Sequence, residues 1–439
     1  MTVRRMDGRV PGIRTLRLLL VLSFLVLLSG SGARVLQAQT PDLGELDARF
    51  AQAQRDWPVP GFAVVIVKDG QTVLMRGYGE RALGSGEPVD EHTLFAIASN
   101  SKAFTSASLA MLVEEEKLSW DDPVQKHLPY FQLYNPYVSS EMRIRDLLSH
   151  RSGLGTYSGD LLWYGTDYSA EEVVRRTRYV PQTGAFRASY GYSNLMFIAA
   201  GEVVAAASGM AWADFVESRI LQPLGMNRTV TSTTDLSRMD NVATPHKNWV
   251  DRVEPIDWYN WDAMAAAGGI ISSVSDMANW LKLQLGNGEA GGTRLFSEAS
   301  SWEMWTVHSA RAVSAGSRRT TPSTHFRGYG LGWGLNDDRG RLVVSHGGGY
   351  DGMFSRVVLI PLRASNSMQR LVATGHSSSS PPSSRAVLPS AAAGQALPRS
   401  PPGIRPSGSP IRCSATTGSS SRRCTSSSDP SRSPARRRS

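Results

Sequence analysis

The 439-residue sequence predicts an α+β protein in which one sheet is assembled from both ends of the chain around an inserted, mostly helical lobe. Three observations carry this prediction. Strand-like segments lie near the start of the chain and return only from residue 329 onward, helix-like segments fill the interval, and Gly and Pro separate them. At about 150 residues per domain, the length corresponds to two or three units.

Charge and cysteine content divide the chain into three regions. The formal net charge is +9, but residues 1–38 carry +5 and residues 363–439 carry +11, which leaves −7 on the body at 39–362. A mildly acidic body lacks the basic face of a nucleic-acid-binding domain, so we predict no nucleic-acid partner. The body contains no cysteine, and the histidines show no metal-ligand spacing. No metal and no cofactor are therefore expected.

Residues 1–38 are predicted to be a signal peptide for export. Five arginines precede an apolar run at 18–28, and small residues follow it. The run is shorter than the ~20 residues that span a bilayer. We predict cleavage after Ala38, with Ala33 as the alternative, and hence a periplasmic or extracellular protein without a stable membrane span. An uncleaved membrane anchor is the competing interpretation.

The next predicted elements are a β-hairpin and a series of helices. Apolar segments at 62–67 and 72–75 flank an Asp-Gly pair, which is typical of a tight turn. From 102 to 117 the apolar residues recur at helical spacing. Further helices are predicted at 144–149, 170–178, 194–207, 212–220 and 275–285. The aromatic-rich stretch 157–192 is predicted to form loops around a cleft.

Strand signals return at 329–335, 342–345 and 354–360, and then the composition changes abruptly. Residues 363–439 contain 22 serines and no Phe, Tyr, Trp, Lys or Glu. Such a segment buries too little apolar surface to fold, so a disordered tail is one interpretation. The favoured one is a sequence read out of frame, because the Arg-rich, Lys-poor body indicates a GC-rich gene. Shifted reading of such a gene yields Arg, Ser, Pro, Ala and Gly.

Ser99 and Lys102 form the first candidate site. They lie three residues apart at the predicted start of a helix, which places both side chains on one face within hydrogen-bond reach. A serine hydroxyl needs a base to become a nucleophile, and a desolvated lysine near a helix N-terminus can be that base. A lone Ser-x-x-Lys is close to chance in this composition, and an exposed lysine is the competing interpretation. The pair indicates a catalytic site only if further catalytic groups accompany it.

Tyr192 and Asn194 form the second candidate element, just before a predicted helix. A phenol beside an ammonium loses its proton more easily and can relay it to a leaving group. The Asn194 amide can hold a substrate carbonyl and support the lysine. Taken alone, Tyr192 is more typical of a cleft wall and Asn194 of a helix cap.

His346, Gly347, Gly348 and Gly349 end a predicted strand and form the third element. Glycines at a strand end let the backbone approach a substrate, and a free N–H there can point at a developing oxyanion. The span 347–352 also fits Gly-x-Gly-x-x-Gly, but a dinucleotide fingerprint needs a helix next, and a strand-like segment follows. Binding of a dinucleotide cofactor by this span is therefore the least favoured functional hypothesis.

In this order the three elements resemble the signature of the serine β-lactamase and penicillin-recognising superfamily, and within it the class C-like branch. The sequence segments at 144–154, 221–226 and 267–273 are similar to that superfamily as well, and the resemblance covers residues 45–361. It implies that Ser99 is the acylated nucleophile, Lys102 its base or proton partner, and Tyr192 the shared general acid and base.

The resemblance also implies substrate-binding positions. These are Asn194, Gly347, Gly348 and Gly349. The backbone N–H groups of Ser99 and Gly349 would form the oxyanion hole, and His346 would occupy the cation or donor position of the third element. β-Lactamases usually have lysine there. Because histidine carries its charge less often near neutral pH, esterase or peptidase activity is at least as expected as antibiotic hydrolysis.

The implied function is an exported serine hydrolase that cleaves an amide or ester bond through an acyl-serine intermediate. D-Ala-D-Ala carboxypeptidase, D-aminopeptidase, β-lactamase and esterase types remain open, with a small-molecule or peptide/peptidoglycan-like substrate. The alternative is a catalytically silent or truncated binding protein on the same scaffold.

The implied β-lactamase-like fold is a five-stranded antiparallel sheet flanked by helices, with the active site between the two lobes. In that family one more strand and a long helix follow the segment at 354–360. Only a weak strand candidate at 370–374 is present in this sequence. We therefore expect a gap at the centre of the sheet, with unpaired backbone groups, and an unstable or inactive polypeptide.

Overall fold

The computed structural model describes residues 42–249 and 252–361, and the backbone of 370–376. The predicted signal peptide at 1–38 lies outside these residues, as does the tail except for 370–376. The described residues belong to one compact unit.

Fourteen strands are present in the described part of the chain. In chain order they are β1 (Gly61–Lys68), β2 (Gln71–Gly79), β3 (Phe95–Ala96), β4 (His246–Trp249), β5 (Arg252–Pro255), β6 (Ile271–Ser272), β7 (Glu289–Ala290), β8 (Thr293–Arg294), β9 (Ser309–Arg311), β10 (Arg327–Tyr329), β11 (Gly334–Asp338), β12 (Arg341–Tyr350), β13 (Met353–Leu359) and β14 (Arg370–His376). Eight of them form one antiparallel sheet in the order β2-β1-β14-β13-β12-β11-β10-β9. The others pair as β3-β6, β4-β5 and β7-β8.

The helices lie mainly between β2 and β9 in the chain. They are α1 (Leu43–Asp56), α2 (Ser101–Glu114), α3 (Val124–His127), α4 (Pro136–Glu141), α5 (Ile144–Leu147), α6 (Ala170–Arg176), α7 (Asn194–Ser208), α8 (Trp212–Val216), α9 (Ala265–Gly268), α10 (Val274–Leu285), α11 (Glu298–Met304) and α12 (Ala315–Thr320). A sheet built from both ends of the chain around a helical insertion confirms the predicted α+β architecture. The predicted count of five strands is wrong, because β9, β10 and β11 extend the sheet beyond β12.

Strand β1 shows how the sheet separates two layers. Successive side chains of a strand point to opposite faces. Val65 therefore joins the main core with the helical lobe, whereas Phe62 joins a smaller cluster on the other face. There α1 inserts Phe50 beside Phe62 and Tyr78, with ring centroids 6.5 and 5.9 Å from that of Phe50. The sheet is thus covered by α1 on one face and by the helical lobe on the other.

Strand β14 occupies the centre of the sheet. It pairs with β1 from Phe62↔Gly375 to Val67↔Arg370, and with β13 from Met353↔His376 to Val358↔Leu371. The expected central gap is therefore wrong. Two facing strand edges supply a complete ladder of backbone partners, so even a short segment of modest strand propensity is held between them. The long C-terminal helix expected after this strand lies outside the described residues.

The predicted strand at 329–335 is in fact the end of β10, a turn, and the start of β11. Gly332 has a φ of +79° at this turn, where a Cβ would lie 2.5 Å from Ser106 Oγ and 2.9 Å from the carbonyl oxygen of Lys102. The turn thus lies directly against α2, and only glycine allows this approach.

Helix α2 is the centre of the helical lobe and is buried from Ser101 to Leu112. Its Phe104 stacks on Trp280 of α10 with ring centroids 3.8 Å apart. Among the described residues no single helix is long and apolar enough to cross a membrane. The bent pair Asn194–Ser208 and Trp212–Leu221 meets that test of length and composition only when the two helices are taken together.

Candidate active site

Ser99 lies on a 3-10 turn, Ala98–Asn100, that connects β3 to α2. Ala98 has a φ of +47°, in the left-handed region that is unfavourable for a residue with a Cβ. Such a conformation costs about 1–3 kcal/mol and is kept only where the surroundings enforce it. Here Ser101 Oγ donates to the Ala98 carbonyl at 2.7 Å, and the Ile97 N–H donates to the Ile270 carbonyl at 3.0 Å. The turn leaves Ser99 partly exposed while its neighbours are buried.

Lys102 lies one helical turn further on and is completely buried. Its Nζ donates to Ser99 Oγ at 3.2 Å, to Asn194 Oδ1 at 2.8 Å and to the Ala267 carbonyl at 2.7 Å. Burial lowers the Lys102 pKa to about 7, against an opposing effect of the Asp160 carboxylate. The amine therefore exchanges its proton in the neutral range and is in contact with the serine hydroxyl, which the sequence pattern predicts.

Tyr192 is hydrogen bonded to Ser99, and its ring centroid lies 4.9 Å from Lys102 Nζ. Burial raises the Tyr192 pKa well above its ordinary value and outweighs the hydrogen bond from Ser99, which lowers it. The expectation that this phenol loses its proton more easily than usual is therefore wrong. At neutral pH the phenol keeps its proton and can donate it.

Asn194 is the first residue of α7, and its side chain lies inside the site. Its Oδ1 accepts from Lys102, and its Nδ2 donates to Asp160 Oδ2 at 2.9 Å. The interpretation of Asn194 as a helix cap is wrong, because its amide links a lysine to a carboxylate. This arrangement connects α2, α7 and the loop that carries Asp160.

His346 reaches the site on β12 but is not available as a cation. Its Nδ1 bonds the Gly347 carbonyl at 2.7 Å, so that Nε2 accepts from the Tyr329 hydroxyl at 2.8 Å. Burial, with a smaller contribution from Lys102, lowers the His346 pKa to about 3. Of the two expected roles, that of a cation is therefore wrong, and both ring nitrogens already have protein partners.

Gly348 allows the strand to contact the turn that carries Ser99. A Cβ at this position would lie 2.2 Å from the Ile97 carbonyl oxygen and 2.3 Å from Ser355 Oγ. At Gly349 a Cβ would meet nothing within 4 Å, and at Gly347 its neighbours would be at 3.9 Å. Of the three predicted glycines, only Gly348 is required by close packing.

We expect Gly348→Ala to destabilise the fold by about 1–3 kcal/mol, because the added methyl group overlaps two fixed oxygens. Thermal unfolding followed by circular dichroism measures this, with Gly349→Ala as the matched control that adds a methyl group into open space. Equal unfolding temperatures for the two variants would contradict the close contact between β12 and the turn.

The backbone of Gly349 points away from β13. The two-residue turn between Tyr350 and Met353 makes these residues a hydrogen-bonded pair, so the next pair, Gly349 and Phe354, directs its N–H and C=O groups outward. Strand β11 pairs with β12 only as far as Ser345. The Gly349 N–H therefore faces the side of β12 on which β11 no longer pairs with it, and it is available to an oxyanion there.

Sequence reasoning missed two titratable groups of the site. Asp160 is identified only by its contact with Asn194. His150 lies in the phrase at 144–154, and its Nδ1 accepts the Ser193 N–H at 3.1 Å, with its ring centroid 4.2 Å from that of Tyr192. The segment at 144–154 resembles the superfamily, but no spacing rule places it near the three candidate elements of the site. In the ranges that the structure describes, no three His, Cys, Asp or Glu side chains are grouped as a metal site.

A serine with a buried lysine, a phenol and a glycine-bearing strand around it, on a sheet with a helical lobe, is the arrangement of a β-lactamase-like fold. The Beta-lactamase family model matches residues 46–396. The chain belongs to this family.

Curated relatives and solved structures are similar over most of the chain. This chain is 30% identical over 344 residues to unguisins hydrolase ungD of Aspergillus violaceofuscus, and the match covers 73% of this chain and 60% of the relative. It is 24% identical over 315 residues to Protein flp of Staphylococcus aureus, covering 69% and 57%. The chain thus spans about 60% of the length of the curated relatives that it matches.

Two solved structures illustrate the shared fold. An octameric penicillin-binding protein homologue from Pyrococcus abyssi has a TM-score of 0.67 and 25% identity, over 78% of this chain and 75% of the other. D-amino acid amidase from Ochrobactrum anthropi has a TM-score of 0.60 and 22% identity, over 76% and 91%.

Proposed function

We propose that this chain hydrolyses an amide or ester bond through an acyl-serine intermediate, with Ser99 as nucleophile and Lys102 as its base. The single observation that carries the proposal is the contact of a completely buried amine, whose pKa is about 7, with the partly exposed Ser99 hydroxyl at 3.2 Å. A neutral amine in that position accepts the proton of the attacking hydroxyl.

The contacts among Ser99, Lys102 and Tyr192 support a reaction in two stages, acylation of Ser99 and hydrolysis of the acyl-serine. Lys102 takes the Ser99 proton while Oγ forms a bond to the substrate carbonyl carbon, and the resulting oxyanion accepts from the N–H groups of Ser99 and Gly349. Tyr192 gives its proton to the leaving amine or alkoxide as that bond breaks, and Lys102 reprotonates the phenol. Water then attacks the acyl carbon while the neutral Lys102 amine accepts its proton, and Lys102 returns that proton to Ser99 Oγ as the acyl–oxygen bond breaks and the acid is released.

The charge state of His346 is relevant to the substrate class. His346 is neutral and already hydrogen bonded, so it supplies no cation for a substrate carboxylate. We therefore favour an amide or ester whose recognition does not depend on a cation at this position, such as a D-amino-acid amide, a peptide or a small ester, over a β-lactam. D-amino acid amidase, a D-stereospecific amidohydrolase and the hydrolase EstCE1 are among the proteins with a similar fold, which supports this choice.

Two finer assignments belong to the same proposal. We place the chain in the class C-like branch on the order and spacing of its three elements. We also propose export to the periplasm or medium, on the basis of residues 1–38. A peptidoglycan-like peptide then remains one of the peptide substrates to be tested.

The experiment is a substrate panel read by intact mass and by product formation. D-phenylalanine amide, a D-alanyl-D-alanine peptide, p-nitrophenyl acetate and a cephalosporin are incubated with the full chain, and the acylated peptide is mapped. We expect an adduct on Ser99 and turnover of the amide or the ester. Absence of any Ser99 adduct, also with a fluorophosphonate, would favour a catalytically silent binding protein on this scaffold.

We expect the acylation rate to rise with pH through an apparent pKa of about 7, because Lys102 must lose its proton before it can act as base. Three other titratable groups near the amine are neutral in this range, because burial keeps the His346 pKa at about 3 and that of His150 well below its ordinary value, and raises that of Tyr192. The Asp160 carboxylate also acts on the amine, and its charge partly opposes the effect of burial on the Lys102 pKa. Stopped-flow measurement of the acylation rate between about pH 5 and pH 9 gives the profile. A rate that is flat across this range would contradict the assignment of Lys102.

A further inference from the structure

Asp160 is a mostly buried carboxylate to which the reaction sequence above gives no part. It lies on the 3-10 turn Asp160–Leu162, directly after Gly159, which has a φ of +83°. Burial raises the Asp160 pKa, while the Trp163 indole, the Asn194 amide and the charge of Lys102 oppose this effect. A carboxylate is costly to bury unless polar partners compensate for the lost water.

The side chains of Asp160, Asn194, Lys102 and Ser99 form one continuous chain of hydrogen bonds. Asn194 Nδ2 donates to Asp160 Oδ2 at 2.9 Å, and Lys102 Nζ donates to Asn194 Oδ1 at 2.8 Å and to Ser99 Oγ at 3.2 Å. Each donor in this series faces an acceptor. The series therefore connects a carboxylate to the nucleophile through one amide and one amine.

The amide of Asn194 has one donor end and one acceptor end, so its orientation matters. If it were reversed, its NH₂ group would face the amine of Lys102, and its oxygen would face the carboxylate of Asp160. Both contacts would be repulsive. Because a carboxylate accepts only, Asp160 excludes the reversed orientation.

We propose that Asp160 is a positioning residue of this site, which holds the Asn194 amide with its oxygen toward Lys102 and thereby fixes the amine against Ser99. The inference rests on the proposed function, since it assigns Asp160 a part in the same acylation step. The carboxylate acts in a second way as well. Its charge favours the protonated form of Lys102 and so sets the pH at which the base becomes active.

Asp160→Asn and Asp160→Ala separate the two effects. The asparagine variant retains an oxygen that can accept from Asn194 but loses the charge. We expect its acylation profile to shift to lower pH by on the order of one unit, with its unfolding temperature nearly unchanged. The alanine variant removes the acceptor, and we expect its plateau acylation rate to fall on the order of 10²-fold through misplacement of the amine, with little change in KM.

The readout is acylation by p-nitrophenyl acetate as a function of pH, with Asp167→Asn as the matched control. Asp167 is an exposed carboxylate in the same loop region, and its replacement is expected to leave both profile and rate unchanged. A wild-type plateau rate in Asp160→Ala, or in the similarly sized Asp160→Leu if the alanine variant fails to fold, would overturn the positioning role, and a wild-type pH profile in Asp160→Asn would overturn the charge effect. If wild type forms no Ser99 adduct at all, the proposed function fails instead, and the two failures are thereby distinguished.

Discussion

Replacement of Ser99 by alanine is expected to lower turnover on the order of 10⁶-fold, to the rate left by substrate binding and the oxyanion donors alone. Ser99 is the partly exposed hydroxyl that contacts both the amine of Lys102 and the phenol of Tyr192. Without it no acyl-enzyme can form. The measurement is kcat on whichever amide or ester the wild type hydrolyses, together with the intact mass after exposure to a fluorophosphonate.

Ser140→Ala is the control for Ser99→Ala, because Ser140 is exposed on α4, and its hydroxyl donates only to the nearby Tyr137 carbonyl. We expect this variant to be labelled and to turn over substrate like wild type. Stoichiometric labelling of Ser99→Ala at another residue would place the nucleophile elsewhere and end the assignment.

Replacement of Lys102 by methionine is expected to lower kcat by about 10²–10⁴-fold, the usual contribution of a positioned general base. Methionine has a similar length and tolerates the buried position, so the loss of the proton acceptor is separated from a loss of packing volume. The rise of the acylation rate around pH 7 should vanish, because no group with that pKa remains in contact with Ser99. Stopped-flow acylation and a full pH profile measure both effects.

The fold of Lys102→Met requires its own measurement, because two acceptors, Asn194 Oδ1 and the Ala267 carbonyl, lose their donor. Each buried acceptor without a partner costs about 1–3 kcal/mol, although the variant no longer buries an amine. Lys117→Met, at an exposed lysine, is the control and should retain wild-type activity. If Lys102→Met keeps its rate within tenfold and its pH profile, another group is the base.

Local patterns were sufficient to predict the elements that carry the catalytic residues. The spacing of Ser99 and Lys102 predicts one helical face, and the structure brings the amine and the hydroxyl into contact. The strand-like character of the segment after Gly352 predicts β13 and argues against a dinucleotide-binding helix, and β13 is a strand. These predictions hold because the interactions that decide them lie within a few residues.

The sequence could not predict features that depend on partners distant along the chain. The strand at 370–376 is decided by the two edges that enclose it, not by its own composition. His346 loses its charge through burial and through the Tyr329 hydroxyl, which comes from another strand. Asp160 follows Gly159, whose φ is +83°, and it reaches the site through a contact with Asn194, a residue 34 positions further along the chain.

The central position of β14 has a consequence for biosynthesis. The β1-β2 hairpin is made first, but its neighbour in the sheet is the last strand described, so the hairpin waits for nearly the whole helical lobe to be translated. A nascent chain that stops before residue 370 would leave β1 and β13 each with an open edge, and both edges accept the same antiparallel strand. Two such unfinished chains could pair with each other through these edges, which makes incomplete synthesis a direct route to aggregation.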